Sequence, residues 1–289
     1  MLRALLVLAL ALQAPAALRF DSNRAWEHLR QLVAIGPRPS GSAALNEARR
    51  YLRSQLAAAG LAVTEQVWED RTPTGPVQMV NLITTIPGHS KDRIVIAGHY
   101  DTKRFREFRF VGANDGGSSA AFLLELGRVL KRRKNPLTLE LLFLDGEEAV
   151  LEWQGTDHTY GSRHYVEEAK QNHSLISLRA FVLIDMIGDR DLRIRRDLNS
   201  TRWLTDLFWD AARRKGLAGY FLAESTQIED DHLPFVEAGV PSVDIIDLDY
   251  PAWHTEGDTL DAVSARSLQV VGDVVLAALP KVEARVRSR

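Results

Sequence analysis

The chain of 289 residues contains no cysteine. That absence excludes a disulfide framework, a thiolate metal site and a leader anchored through an acylated cysteine. Charge of one sign is lacking too: 36 Lys and Arg stand against 38 Asp and Glu, a formal net charge of -2. Neither a nucleic-acid partner nor an anionic membrane surface is implied by that balance. There is no internal repeat, no low-complexity tract and no linker that would divide the chain.

What is present begins with a leader. Residues 1–18 have one early positive charge at Arg3, an apolar run over 4–12, and small residues at Ala14, Pro15, Ala16 and Ala17. This is the layout of a secretory signal peptide, too short for a comfortable membrane span. We therefore expect residues 1–17 to be removed, with a secreted or periplasmic destination of the bacterial type and no stable membrane association afterwards. Residues 18–289 are expected to form one monomeric α/β domain.

Residues 20–35 carry Trp26, Leu29, Leu32 and Val33 at helical spacing and stop at the Gly-Pro-Arg-Pro of 36–39, which cannot continue a helix. Ser42 is placed to cap a second helix with an apolar stripe of Leu45, Ala48, Leu52 and Leu56, closed by Gly60. Residues 61–68 and 77–86 flank a Pro- and Gly-containing turn and read as antiparallel neighbours at one side of a sheet. Four further apolar runs of strand length, 93–97, 139–144, 181–184 and 241–246, alternate with helical stretches such as 119–134. The alternation predicts a mostly parallel, twisted central sheet with helices on both faces, whose strands deliver their carboxyl ends to one rim. An amphipathic helix over 264–279 is expected to close the chain, with frayed charged residues after it.

Chemistry collects at that rim. The stretch LELLFLDGEE (139–148) ends in two adjacent acids, Glu147 and Glu148, which leave one backbone in different directions. One can hold a metal while its neighbour handles a proton. Other strand ends and loops supply His99, Asp101, Asp115, Asp185, Asp230, Asp231, His232 and His254. Among them Asp115, Glu148 and His254 offer two carboxylates and an imidazole, a donor set suited to a catalytic zinc with an open position. His28, His89, His158, His164 and His173 read as ordinary surface or core residues. The basic stretches KRFREFR (103–109) and RIRR (193–196) read as solvated loops.

Taken in chain order, GHYD (98–101), GANDGG (112–117), DGEE (145–148), IDMIGD (184–189) and WHT (253–255) resemble the zinc aminopeptidase superfamily. Within it they are most similar to the animal-type glutaminyl-peptide cyclotransferases. Three features point to that branch: residues 149–159 intervene between the two glutamates and the following Tyr-Gly-Ser turn, EDDHLPF (229–235) looks like a cyclase segment, and Trp253 stands directly before His254.

The resemblance implies one zinc per chain, held by Asp115, Glu148 and His254, and conversion of the N-terminal glutamine of peptides or proteins to pyroglutamate with release of ammonia. It implies Glu147 as the proton carrier, Asp185 and Asp230 as the groups that orient the reacting nitrogens, and Trp153 and Trp253 as substrate-binding pocket walls. The chain departs from the animal enzymes in lacking the disulfide they commonly have, and in carrying Asp244 where they have a histidine. Two alternatives stay open. His99, Asp115, Glu148, Asp185 and His254 are also a full ligand set for a dizinc exo-aminopeptidase of the same fold, with Glu147 activating water. A metal-free binding or receptor-like domain is the other, although it would have no use for Asp115, Glu147, Glu148 and His254 together.

Overall fold

A computed structural model describes residues 18–287; the leader expected over 1–17 lies outside the described residues. Two helices come first, α1 (Ser22–Ile35) and α2 (Ala43–Ala58), and each starts on a side-chain cap. Asp21 accepts from the Asn23 amide at 3.1 Å and Ser42 from the Leu45 amide at 3.0 Å, satisfying donors that a first turn leaves without partners. There follow β1 (Thr64–Thr72), β2 (Gly75–Ile86), β3 (Ser90–His99), α3 (Gly117–Leu130), β4 (Leu137–Leu144), α4 (Tyr160–Gln171) and β5 (Leu178–Asp185). The chain closes with β6 (Ile194–Asp197), α5 (Arg202–Arg214), β7 (Phe221–Thr226), α6 (Leu233–Glu237), β8 (Ser242–Ile246) and α7 (Ala265–Arg287).

The main sheet has six strands in the order β1-β2-β4-β3-β5-β8. The β1–β2 hairpin lies at one edge, β2 runs antiparallel to β4, and β3, β4, β5 and β8 pair in parallel. The parallel strands are apolar on both sides because both are covered. Ile94 and Ile96 of β3 join the core under α1, α2, α3, α5 and α7, while Val95 and Ala97 face Tyr165 and Val166 of α4 and Phe235 of α6. Each Ile, Val or Phe side chain among these taken fully out of water contributes about 1.5–3 kcal/mol. Phe235 stacks on Phe181 of β5 with ring centroids 3.6 Å apart, pinning the thinner helical layer to the sheet.

Two expectations are corrected. Residues 280–287 do not fray but continue α7, because Val282 and Val286 are buried and Glu283 accepts from Arg133 Nη1 at 2.7 Å. Those contacts outweigh the helical hydrogen bond that Pro280 removes. The basic stretch 193–196 is not a solvated loop either: it enters β6, which pairs in parallel with β7 as a second, two-stranded sheet. Ile194 and Asp197 point inward, Arg195 reaches Asp249 at 2.7 Å and Arg196 pairs with Asp206.

Between α1 and α2, Arg38 is wholly buried and binds loop 100–112 from beneath. Its Nε donates to Tyr100 O at 3.0 Å, Nη1 to Val111 O at 2.6 Å and Nη2 to Gly112 O at 2.9 Å, while its backbone amide donates to Thr102 Oγ1 at 3.0 Å. Burial lowers the guanidinium to about 10, with the carboxylates of Asp258 and Asp101 opposing.

Candidate active site

The parallel strands β3, β4, β5 and β8 end on one rim, and the acidic turns begin where their ladders stop. After β3, loop 100–116 is fixed at both ends. Arg38 holds its start, and near its end Asp258 accepts from the Asn114 amide at 2.7 Å and the Asp115 amide at 3.1 Å, with Tyr250 donating its hydroxyl at 2.8 Å. Gly116 then turns the chain into α3 at φ +73°, where an added Cβ would lie 2.3 Å from Asp101 O. Only glycine fits there. After β4, the turn through Gly146 is tied by Asp101, whose carboxylate lies 3.4 Å from the backbone nitrogens of both Glu147 and Glu148.

These turns bring together most of the residues singled out from the sequence. His99 Nε2 lies 3.2 Å from Asp115 Oδ1 and 3.1 Å from Asp185 Oδ1. On the other side of Asp115, His254 Nε2 lies 3.4 Å from Asp115 Oδ2 and 3.4 Å from Glu148 Oε1. Two candidate metal groups result, Asp115–Glu148–His254 and His99–Asp115–Asp185, each with ligand atoms within 4.8 Å of one another. Glu147 Oε2 is 3.7 Å from His99 Nδ1. His254 holds its place at φ 52°, a left-handed conformation costing a non-glycine residue roughly 1–3 kcal/mol.

The residues fit a metal ion on their own chemistry. Asp115 Oδ2 is buried without a hydrogen-bond donor, beside an imidazole nitrogen and a second carboxylate. Such an orphaned oxygen is costly unless a cation satisfies it. Burial raises Glu148 to about 7, with Asp115 adding and His254 opposing. Burial likewise lifts Glu147 well above the usual carboxylate range; His99 draws it back, while Glu148 and Asp230 push it further up. Asp230 is raised by burial and by Asp185 and Asp231. His254 is depressed by burial, but the carboxylates of Asp115 and Glu148 facing its Nε2 outweigh this and bring it up to about 9.

These shifts have a sign that can be measured on protein stripped of metal. Glu148 rises from an unfolded value near 4.5 to about 7, and His254 from 6.5 to about 9. A raised group stabilises the fold fully below its unfolded pKa and loses that contribution as pH climbs through the folded one. The thermal midpoint of chelator-treated protein is therefore expected to fall steadily between about pH 5 and pH 9, and added divalent metal should restore it most at the alkaline end. A midpoint that rises over this range in the stripped protein would contradict the assignment.

The cluster opens into a cavity of about 450 Å³ lined by Glu147, Asp185, Asp230, Trp153 and Trp253 among others. Trp153 rides on a turn organised by Asp157, whose carboxylate accepts from the amides of Val150, Leu151 and Glu152 at 2.9–3.0 Å and from Tyr160 Oη at 2.7 Å. Asp231 lies just behind, accepting from Ser162 Oγ at 2.5 Å. Deeper still is Asp244, fully buried, with Oδ2 3.7 Å from His232 Nδ1; His232 Nε2 in turn faces Asp197 Oδ2 at 3.0 Å. Burial and the carboxylates of Asp230 and Asp197 push Asp244 well upward. Of the histidines read as ordinary, His28 bonds Tyr51, His164 stacks on Trp68 and His158 on Trp153, and none enters the cluster. Arg38, Asp157 and Asp258 were not singled out from the sequence.

Comparison with known proteins bears on this arrangement. The sequence profile of peptidase family M28 matches residues 81–279. The chain is 34% identical to the glutaminyl-peptide cyclotransferase-like protein of Mus musculus over 272 residues, covering 83% of this chain and 70% of that protein. It is 30% identical to the glutaminyl-peptide cyclotransferase of Boiga irregularis over 292 residues, with 88% and 79% covered. A solved glutaminyl cyclase from an Acidobacteriales bacterium superposes with a TM-score of 0.89 at 40% identity, covering 97% of this chain and all of that one.

Proposed function

Since the chain belongs to peptidase family M28 and, within it, to the glutaminyl-peptide cyclotransferases, we propose that it cyclises the N-terminal glutamine of peptides with one zinc ion held by Asp115, Glu148 and His254. The observation that carries this reading is the orphaned Asp115 Oδ2, set beside His254 Nε2 and Glu148 and opening onto a cavity with five further acids. When bound, zinc supplies a Lewis acid for the γ-carbonyl oxygen of the substrate glutamine.

The chain's own residues do the rest. Asp185 and Asp230 accept hydrogen bonds from the α-amine and the amide nitrogen, and Trp153 and Trp253 enclose the small side chain between aromatic faces. The amine nitrogen attacks the γ-carboxamide carbon, and Glu147 takes the proton that this nitrogen sheds. As the carbon–nitrogen bond of the carboxamide breaks, Glu147 hands the proton to the leaving nitrogen, which departs as ammonia. A carboxyl raised well above its usual range is suited to both transfers. No water need be activated, because the nucleophile belongs to the substrate and five-membered ring closure carries its own proximity advantage.

Asp157 supports the wall rather than the chemistry. Asp157→Ala frees three amides of the turn below Trp153, and KM for a glutaminyl peptide should rise about tenfold while kcat stays within a factor of about two. An equal fall in kcat with unchanged KM would show that the turn acts on the reacting atoms instead.

A dizinc aminopeptidase is the second reading, favoured by one observation: His99, Asp115 and Asp185 also converge within 4.8 Å. Incubating the purified protein with a Gln-Xaa and a Leu-Xaa peptide, while counting zinc per chain, separates the two. Loss of ammonia from the first peptide, with one zinc, supports the cyclase; release of free leucine, with two, sinks it. Export with removal of residues 1–17, and a monomer built from one domain over 18–289, complete the proposal. N-terminal sequencing of exported protein and light scattering test them. Among the described residues no helix is long and apolar enough to cross a membrane.

A further inference from the structure

Beside the catalytic cavity lies a second one of about 590 Å³, and the two share Lys103, Glu148 and Leu151 as a common wall. Its lining includes residues 103–107 of the loop KRFREFR. Phe105 turns inward, stacking on Phe108 with centroids 4.4 Å apart and meeting the His254 ring nearly edge-on at 5.6 Å. That anchors the loop directly against the imidazole. Arg104 and Arg106 turn outward, line the second cavity and are exposed, and neither guanidinium has a carboxylate partner among the described residues.

Among the exposed charges of this groove the arginines outnumber the acids two to one. Asp101 and Glu148 are buried in its floor, where Glu148 already accepts from the Lys103 amide at 3.0 Å. Glu107 is exposed but accepts from the Arg106 amide at 3.1 Å. The catalytic cavity carries exposed acids, Glu152 next to the shared Leu151 and Glu229 next to Asp230. The exposed charges of the groove are thus net basic, two arginines against Glu107, and those of the catalytic cavity are acidic.

We propose that the residues following the N-terminal glutamine lie in this second groove, and that Arg104 and Arg106 select substrates with an acidic side chain at the second, third or fourth position. This rests on the cyclase reading: only the first residue reacts, so the rest of the peptide must leave the catalytic cavity past Lys103 and Leu151. An acidic chain is attracted to the groove and repelled by Glu152 and Glu229.

The test competes two glutaminyl peptide amides in one tube of zinc-loaded protein, identical except for Glu or Lys at one of those positions. Amidated ends remove the carboxylate that could mimic the acidic side chain. The ratio of products by mass spectrometry does not depend on how much enzyme is active. At low salt the Glu peptide should react about tenfold faster at one or more positions, as expected of two partly exposed charge pairs, and the ratio should approach one near 0.5 M salt. The double variant R104E/R106E should invert it. A ratio near one in the unaltered protein, or a preference that neither salt nor the variant changes, would overturn the proposal and leave the cyclase reading standing. Absence of pyroglutamate from both peptides would overturn both.

Discussion

Glu147→Gln should retain zinc and fold and lose turnover on a Gln-Xaa peptide by about 100- to 10,000-fold, the range that a positioned acid–base group supplies. The amide has the size of the carboxyl and can still donate a hydrogen bond, but it cannot accept and return a proton. Because Glu147 is not among the atoms of the Asp115–Glu148–His254 group, zinc content measured by atomic absorption should stay at the unaltered value. KM should move little, since in the proposed reading the substrate is held by Asp185, Asp230 and the two tryptophans. Near-normal kcat in this variant would end the proton-carrier assignment, whichever nucleophile the reaction uses.

His254→Ala should lose the metal itself. It removes one donor of three, and even a change behind a ligand weakens metal binding by about 10- to 100-fold, so the affinity for zinc is expected to drop by more than about 100-fold. Equilibrium competition against a chelator reads this directly. In the unaltered protein, zinc must displace a proton from Glu148 below about 7 and from His254 below about 9, so apparent affinity climbs with pH across both. The variant keeps the first dependence and lacks the second. A companion, His254→Gly, separates ligation from backbone strain: both substitutions lose zinc, but glycine accepts φ 52° freely and should melt later than alanine by an amount near 1 kcal/mol. Equal zinc affinity in the alanine variant and the unaltered protein would remove His254 from the metal site.

Much of this architecture can be read from the chain because the decisive signals are local. Residues 139–148 carry a strand, its end and two acids within ten positions, and the other parallel strands repeat that form, so the rim and its candidates follow from hydrophobic runs and the residues after them. Ser42 as a cap is equally local. What escapes such reading acts at a distance. Asp258 bonds amides at Asn114 and Asp115, far away in sequence and marked by no spacing. Asp157 looks like any polar loop residue until it is seen under three amides. The last turns of α7 persist through Glu283 and Arg133, a partner on the far side of β4 and β5 in the chain, and β6 shows one apolar residue where a strand detector needs several. The exposed arginines of 103–109 look like any solvated basic loop in the sequence, and only the structure shows that two of them line a groove beside the catalytic cavity.

Arg38 has a bearing on where the functional unit begins. The family profile starts at residue 81 and so spans every metal candidate from His99 to His254. It leaves out the guanidinium that carries three carbonyls of loop 100–112. A fragment trimmed to that match would keep the whole ligand inventory yet lack the strut beneath the loop that leads to Asp115. Truncations intended to define a minimal catalyst should therefore stop upstream of Gly36.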